Sequence, residues 1–128
     1  MHKSRLAALV IDNKVADVNE AAEFWSKALG YSCLESKENW ALKYVHLKTP
    51  GDEPHILIQK VDHDSRVHLD IETDNITAEV ARLEKLGAKV VEALPRWTVM
   101  EAPTGHRFCV VNPQRKDFAQ TENVNTWE

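Results

Sequence analysis

The feature that most constrains the fold of this chain is a five-element pattern that occurs twice. In the first half, the apolar segment "RLAALVID" (5–12) predicts a strand. Asp17, followed by Glu20, is typical of a helix N-terminus, and Gly30 marks the end of that helix. Three extended segments follow at roughly 31–37, 41–48 and 55–61. This half therefore predicts the order β-α-β-β-β.

The second half repeats this order with different residues. "RVHLDIE" predicts a strand, and "DNITAEVARLEKLG" predicts a helix that ends at Gly87. Three extended segments follow again, "AKVVEAL", "WTVMEA" and "HRFCVV". The predicted buried stripes of the two helices are Val18, Ala22, Trp25 and Leu29, and Ile76, Val80, Leu83 and Leu86. Five elements in the same order indicate a duplicated module.

Length and composition favour one globular domain. A chain of 128 residues with 43% hydrophobic and 28% charged residues can bury one hydrophobic core. We predict a single domain over 1–128, with module one at about 5–61 and module two at about 66–112. The remaining residues, 113–128, form a polar C-terminal tail. Its two large aromatic residues, Phe118 and Trp127, are candidates to dock on the body of the protein or on a partner subunit.

Charge and hydropathy exclude two classes of partner. The formal net charge of −4, without a long basic cluster, argues against binding to nucleic acid. The apolar run "LAALVI" is interrupted by Asp12 and is too short for a signal peptide or a membrane span. We therefore predict a cytoplasmic protein without membrane attachment. Cys33 and Cys109 form no metal-type pair of cysteines and are predicted to be buried free thiols.

Polar side chains occupy every second position of the strand in "RVHLDIETDN". His68, Asp70 and Glu72 share one face of this strand, because side chains alternate between the two faces of a sheet. The opposite face is apolar and is predicted to face the helix: Val67, Leu69 and Ile71. Two sheets of this kind can curve their polar faces into one cleft for a small-molecule ligand. The predicted fold is α+β, two tandem β-α-β-β-β modules that form a curved sheet around a cleft.

The polar row contains the candidate catalytic residues. The ordinary pKa of histidine suits proton transfer in either direction, which makes His68 the candidate general acid or base. Asp70 or Glu72 would orient it, or the two carboxyl groups would share acid–base work. The alternatives stay open: a hydrogen-bonded histidine without chemistry, and carboxylates that are solvated or cap the next helix.

Six further residues are candidates for ligand binding. Arg107 alternates with Cys109 on the last strand, and its guanidinium can bind an anionic group of a substrate. It could equally pair with Glu72 or Glu101. A thiol acts as a nucleophile only when it is exposed and its pKa is depressed, so a buried thiol is the alternative for Cys109. The predicted ligand-binding residues are Tyr44, His46, Gln59, Trp97, Arg107 and Cys109.

Three segments, in this order of elements, resemble a known family. "AEFWSKALGY", "VHLDIETDNITAEVARLEKLGA" and "WTVMEAPTGHRFCVV" are similar to the glyoxalase-like domain of the vicinal oxygen chelate superfamily. The resemblance covers residues 5 to about 112. It implies a sheet of two modules around a cleft, and usually a homodimer. The superfamily includes lactoylglutathione lyase, extradiol dioxygenases, epimerases and antibiotic-resistance proteins, and the fold alone does not choose among them.

The resemblance also implies where a metal would be bound. Metal enzymes of the superfamily use His and Glu ligands from the first and last strands of each module. His68 matches one of these positions, Gln59 stands near a position where Glu is expected, and Cys109 stands at a usual acidic position. The fourth position falls near Ala8, which has no donor atom. We therefore predict no complete metal site. A divalent metal stays an open alternative, with His68 and Gln59 as its ligands, and Cys109 with His68 could in principle hold zinc.

These observations lead to one functional prediction and two alternatives. The chain is predicted to bind a small polar metabolite without a complete metal site, and lyase or isomerase chemistry is expected if it is catalytic. One alternative is a metal-dependent lyase or dioxygenase of the same superfamily. The other is a non-catalytic binding protein that sequesters a drug. The predicted partners are a small-molecule ligand and a second copy of the chain.

Overall fold

A computed structural model of the chain describes residues 1–34 and 43–128. This part contains nine strands and two helices. The elements are β1 (His2–Asn13), α1 (Val18–Leu29), β2 (Cys33–Leu34), β3 (Tyr44–Leu47), β4 (His55–Lys60), β5 (Arg66–Thr73), α2 (Ile76–Lys85), β6 (Lys89–Ala93), β7 (Trp97–Glu101), β8 (Arg107–Val111) and β9 (Asn125–Trp127). The predicted α+β class and the two β-α-β-β-β modules are confirmed. Parts of two predicted strands, at 35–37 and 41–42, lie outside the described residues.

The chain divides into two compact units. One consists of Ala8–Val67 and contains α1; we call it the α1 unit. The other consists of Met1–Ala7 and His68–Glu128 and contains α2; we call it the α2 unit. Strand β1 is longer than the predicted 5–12, and it contributes its first residues to the α2 unit and the rest to the α1 unit.

The strands of the α1 unit follow the order β2-β3-β4-β1. Neighbouring strands are antiparallel except β4 and β1, which are parallel. The side chain of Asp17 accepts a hydrogen bond from the backbone N–H of Asn19 and so caps α1. Gly30 ends the helix with a φ of 77°, a conformation that glycine adopts without strain. The helix packs on the sheet through a buried cluster, Val18, Ala21, Ala22, Leu47 and Ile58.

Module two, which lies within the α2 unit, repeats this topology. Its strands follow the order β5-β8-β7-β6, again with one parallel pair, β5 and β8. Asn75 caps α2 through its side chain, which accepts a hydrogen bond from the N–H of Ala78. The buried cluster under α2 is Leu83, Ala88, Met100 and Val110. The same pairing pattern in both halves supports the duplicated module.

Some residues predicted to be buried are exposed. Leu29 is the last residue of α1 and Leu86 lies just beyond α2, so both project past the surface that their helix covers. On β5, Ile71 packs against the α2 cluster as predicted, but Val67 and Leu69 are exposed because they precede the covered part of the strand. Within the described residues, neither helix has the length and hydropathy needed to cross a membrane.

The C-terminal tail is docked on the α2 unit by its last strand. β9 pairs antiparallel with the start of β1, and Trp127 lies opposite His2. The Trp127 indole N–H donates to Ser4 Oγ at 2.8 Å, and its ring lies 3.9 Å from the guanidinium carbon of Arg82. Phe118 is buried. Of the two alternatives that the sequence left open for Phe118 and Trp127, this structure shows contacts with the body of the protein.

Beneath Trp127 lies a fully buried carboxylate, Glu79. Arg82 donates two hydrogen bonds to it at 2.8 Å, and His2 Nε2 lies 2.8 Å from its Oε1. Burial acts to raise the pKa of Glu79, but hydrogen bonds from Arg82, His2 and Ser4 outweigh it, so the pKa lies below its ordinary value. The ionised Glu79 thus holds together β1, α2 and, through Arg82, the tail.

Replacement of Trp127 by alanine tests this docking. We expect the free energy of unfolding to fall by about 2 kcal/mol, since both the cation–π contact and the hydrogen bond to Ser4 are lost. Urea denaturation followed by circular dichroism measures the change. Trp127→Phe is the matched control, because it keeps a ring beside Arg82 and loses only the hydrogen bond; its effect should be smaller. Equal midpoints for wild type and Trp127→Ala would show that the tail does not contribute to stability.

Candidate functional site

One face of the sheet in the α2 unit carries the predicted polar row. Paired residues on neighbouring strands share a face, and Asp70 pairs with Cys109 across the parallel strands β5 and β8. Cys109 in turn pairs with Val99 across β8 and β7. His68 and Arg107 lie on the same face, because each is two residues before a member of the Asp70–Cys109 pair. Trp97, two residues before Val99, completes this polar face.

Three of the predicted site residues come together on this face: His68, Asp70 and Cys109. One donor atom from each lies within 4.8 Å of the other two. His68 Nε2 is 3.4 Å from Asp70 Oδ1, and these two side chains are 15% and 17% exposed. The His68 and Asp70 side chains are therefore largely shielded from bulk water. We call the three residues the His–Asp–Cys group.

The donor atoms of this group suit two kinds of chemistry. An imidazole beside a carboxylate can accept a proton, because the negative charge stabilises the imidazolium that forms. Imidazole nitrogen, carboxylate oxygen and thiolate sulfur are also the ligands that zinc accepts, and catalytic zinc sites have three protein ligands. Their spacing here fits such a site. The bound metal would supply a Lewis acid that polarises a carbonyl oxygen.

Glu72, the third member of the predicted row, has other partners. It is fully buried, and its Oε2 accepts hydrogen bonds from Nε of Arg5 at 2.7 Å and Nε of Arg115 at 3.2 Å. Its Oε1 accepts the backbone N–H groups of Gln114 and Arg115. Glu72 therefore anchors the tail, and Asp70 is the carboxylate that contacts His68.

The pKa of Glu72 reflects this environment. Burial is the largest effect and acts to raise the pKa. The two backbone N–H groups and the guanidinium groups of Arg5 and Arg115 together outweigh it, and the pKa lies below its ordinary value. Neither arginine was predicted from the sequence to belong to the site. The sequence offers only a weak signal for them: Arg5 opens an apolar strand, and Arg115 follows the last strand of module two.

Arg107 is half-buried and pairs with Glu101, one of the two partners that the sequence left open. Its Nε donates to Glu101 Oε1 at 3.3 Å, and both side chains are 39% exposed. Glu101 also lies opposite Lys89 across β6 and β7. Trp97 is 39% exposed at the start of β7 and belongs to the same polar face. Two cations thus flank one carboxylate beside the His–Asp–Cys group.

The other predicted ligand residues lie in the α1 unit. Tyr44 and Gln59 pair across β3 and β4, and the Gln59 amide donates to the Tyr44 hydroxyl at 3.2 Å. His46 shares their face, and its ring lies 6.0 Å from the ring of His55. Burial lowers the pKa of His46, and the neighbouring His55 lowers it further, which favours the neutral imidazole. The predicted metal pair, His68 and Gln59, is divided between the two units and stays a prediction.

The two cysteines differ in exposure. Both are free thiols, as predicted, but Cys33 is exposed and Cys109 half-buried, so the prediction of two buried thiols is wrong. Cys33 lies on β2, which comes last in its sheet among the strands of residues 1–34 and 43–128. Cys109 lies on β8, which has β5 on one side and β7 on the other. Its side chain is on the polar face and belongs to the His–Asp–Cys group.

A comparison with protein families decides the ancestry of the chain. The family described as glyoxalase-like domain matches residues 8–111. The chain belongs to this family. Its predicted membership of the vicinal oxygen chelate superfamily is confirmed. The comparison of this chain with curated protein sequences found no match.

Solved structures share the fold of this glyoxalase-like domain. Methylmalonyl-CoA epimerase from Mycobacterium tuberculosis is 19% identical, with a TM-score of 0.63, over 89% of this chain and 91% of that chain. A variant of the Streptomyces coelicolor methylmalonyl-CoA epimerase, in complex with 2-nitronate-propionyl-CoA, is 16% identical, with a TM-score of 0.62, over 84% and 96%. A hypothetical protein from Bacillus halodurans C-125 is 12% identical, with a TM-score of 0.64, over 94% and 99%. At these identities the likeness shows the fold and no more.

Proposed function

We propose that this glyoxalase-like domain is a lyase or isomerase that transfers a proton on a small polar metabolite, with His68 as the proton-transfer group. The observation that carries the proposal is the 3.4 Å contact between His68 and Asp70 within the His–Asp–Cys group. In this proposal His68 removes a proton from carbon, and Asp70 orients the imidazole and stabilises its charged form. Cys109 lines the site beside them.

The proposed substrates carry a carbonyl group next to the reacting carbon. Two of the three structural neighbours named above are methylmalonyl-CoA epimerases, and one of these two was solved in complex with 2-nitronate-propionyl-CoA. Epimerisation of a carbon next to a carbonyl requires that a proton be removed and returned. We propose the same reaction class for the present chain, and acyl thioesters are the first substrates to test. A homodimer, a small-molecule ligand and a cytoplasmic location remain part of the proposal.

Proton exchange with solvent tests the proposal whatever the product of the reaction is. The protein is incubated in deuterium oxide with methylmalonyl-CoA, and in parallel with a panel of small 2-oxo acids. Proton NMR then follows loss of the signal from the carbon next to the carbonyl. Exchange of at least one compound above the protein-free rate supports the proposal. A panel without exchange would favour the non-catalytic, ligand-sequestering alternative.

The second candidate function is that of a metal-dependent enzyme, with a divalent metal ion bound at the same site. It is favoured by the 4.8 Å spacing of one imidazole, one carboxylate and one thiol, and the thiol makes zinc the first choice. His68, Asp70 and Cys109 would hold the ion. The sequence named His68 and Gln59 as the ligand pair, with His68 and Cys109 as the alternative for zinc, and it did not include Asp70.

Zinc titration of the purified, chelator-treated protein measures this directly. We expect binding of about one zinc ion per chain, with at least a tenfold loss of affinity in His68→Ala and in Cys109→Ser, since each removes one of three ligands. Cys33→Ser is the matched control, because it removes the exposed thiol outside the group. Calorimetry gives the affinities. Zinc binding that survives Cys109→Ser but is lost in Cys33→Ser would rule out this site.

A further inference from the structure

We infer that Arg107 is the group that binds a carboxylate of the substrate, and that Glu101 occupies it when no substrate is bound. The inference rests on the proposed function, because it places this carboxylate beside the reacting carbon held at His68. It narrows the proposed substrates to compounds that carry a carboxylate close to the carbonyl group. Three features of the polar face support it: the position of Arg107, its available donors and an alternative partner for Glu101.

The position follows from the register of β5 and β8. Leu69 pairs with Phe108 in this parallel pair. His68 and Arg107 each come directly before a member of that pair, so they are neighbours across the two strands, whose axes are about 4.8 Å apart. Both side chains lie on the polar face. A small molecule can therefore contact the imidazole and the guanidinium at the same time.

The guanidinium retains donors for a second partner. Arginine has five N–H donors in a planar fork that matches a carboxylate. Among residues 1–34 and 43–128, the hydrogen bond of Arg107 is the one from Nε to Glu101 at 3.3 Å, which is long for a charge-assisted bond. At 39% exposure, the side chain is also accessible from solvent. An incoming carboxylate can therefore form a shorter, two-pronged contact.

Glu101 does not lose its counter-charge when Arg107 binds a ligand. It lies directly opposite Lys89 across β6 and β7, and Lys89 is exposed. The row of Lys89, Glu101 and Arg107 carries two positive charges and one negative charge. A ligand carboxylate balances this row, and Glu101 can then pair with Lys89. In contrast, Arg5 and Arg115 are buried, and both donate hydrogen bonds to Glu72. Neither guanidinium is therefore accessible to a ligand in the way that Arg107 is.

The test uses malonate as the probe and malonamide as its uncharged counterpart. Each is titrated into the full chain labelled with nitrogen-15, at constant ionic strength, and the Arg107 Nε–H signal is assigned from its absence in Arg107→Gln. We expect malonate, and not malonamide, to shift this signal. Malonate affinity should fall about tenfold or more in Arg107→Gln, because a charge-assisted contact is lost. It should rise severalfold in Glu101→Gln, because the competing carboxylate is removed.

Arg96→Gln is the matched control, since it removes the same charge from an exposed position outside the polar face. Malonate affinity in this variant should stay within about twofold of wild type, as expected for a distant exposed charge. Circular dichroism confirms that each variant is folded. Equal loss in Arg96→Gln and Arg107→Gln, or weaker binding in Glu101→Gln, would overturn the inference.

The two proposals fail in different ways. If malonate affinity falls in Arg107→Gln and no panel compound exchanges deuterium, the carboxylate site at Arg107 is supported and the proposed proton transfer by His68 is wrong. If exchange depends on His68 but malonate does not shift the Arg107 signal, proton transfer stands and the carboxylate site is wrong.

Discussion

Replacement of His68 by alanine is expected to slow deuterium exchange by about 10²- to 10⁴-fold, the usual contribution of a general acid–base group. The imidazole lies 3.4 Å from the Asp70 carboxylate, and alanine removes both the proton acceptor and this contact. Initial exchange rates measured by NMR, for the compound with the fastest wild-type rate, give the ratio. Asp70→Asn should cause a smaller loss, since it leaves the imidazole in place and removes only the charge that stabilises it.

His63→Ala is the matched control for His68→Ala. His63 is an exposed histidine, and its Nδ1 lies 2.8 Å from the backbone carbonyl of Asp64. This substitution should leave the exchange rate unchanged. An exchange rate in His68→Ala that matches wild type would exclude His68 as the proton-transfer group. Melting curves of both variants separate a loss of catalysis from a loss of folded protein.

Replacement of Glu72 by alanine is expected to lower the free energy of unfolding by about 3–5 kcal/mol, as when one partner of a buried ion pair is removed. Arg5 and Arg115 would then remain buried without the carboxylate that both contact. The backbone N–H groups of Gln114 and Arg115 would also lose their acceptor. Urea denaturation measures the change, and Glu101→Ala, which affects a half-exposed pair, should change stability by less than about 1 kcal/mol.

The same carboxylate predicts a pH dependence. The folded-state pKa of Glu72 is lowered, so its stabilisation is fully present above the ordinary value of 4.5 and is lost as the pH falls through the lowered pKa. The stability difference between wild type and Glu72→Gln should therefore be largest near neutral pH and shrink in acid. Urea midpoints at a series of pH values test this. A difference that stays constant with pH would show that Glu72 is not ionised in the folded protein.

The repeat, the helix ends and the polar row could be predicted because each is set by neighbouring residues. Asp17 and Asn75 cap the helices through N–H groups two or three residues away. Because side chains alternate along a strand, His68 and Asp70 share one face of β5, and this does not depend on which strands pair with it. Strand boundaries were less accurate, as in the longer β1, because the end of a strand depends on its partner.

The role of Glu72 could not be predicted because its partners are distant in sequence. Arg5 is 67 positions away and Arg115 is 43 positions away. Alternation gives Glu72 the same face as His68, and nothing in the local sequence distinguishes an anchoring carboxylate from a catalytic one. The exposure of Val67 and Leu69 is a similar case, since it depends on how far α2 extends along the strand.

Local sequence was enough for the duplicated β-α-β-β-β order, the capped helices and the shared face of His68 and Asp70, because these depend on backbone preferences and on short-range periodicity. Long-range packing determines which distant side chains join them. Parallel pairing of β5 with β8 brings Cys109 to Asp70, pairing of β7 with β8 gives Arg107 its contact with Glu101, and two buried carboxylates fix the tail. These contacts depend on strand register and packing, which the free energy of the whole fold sets.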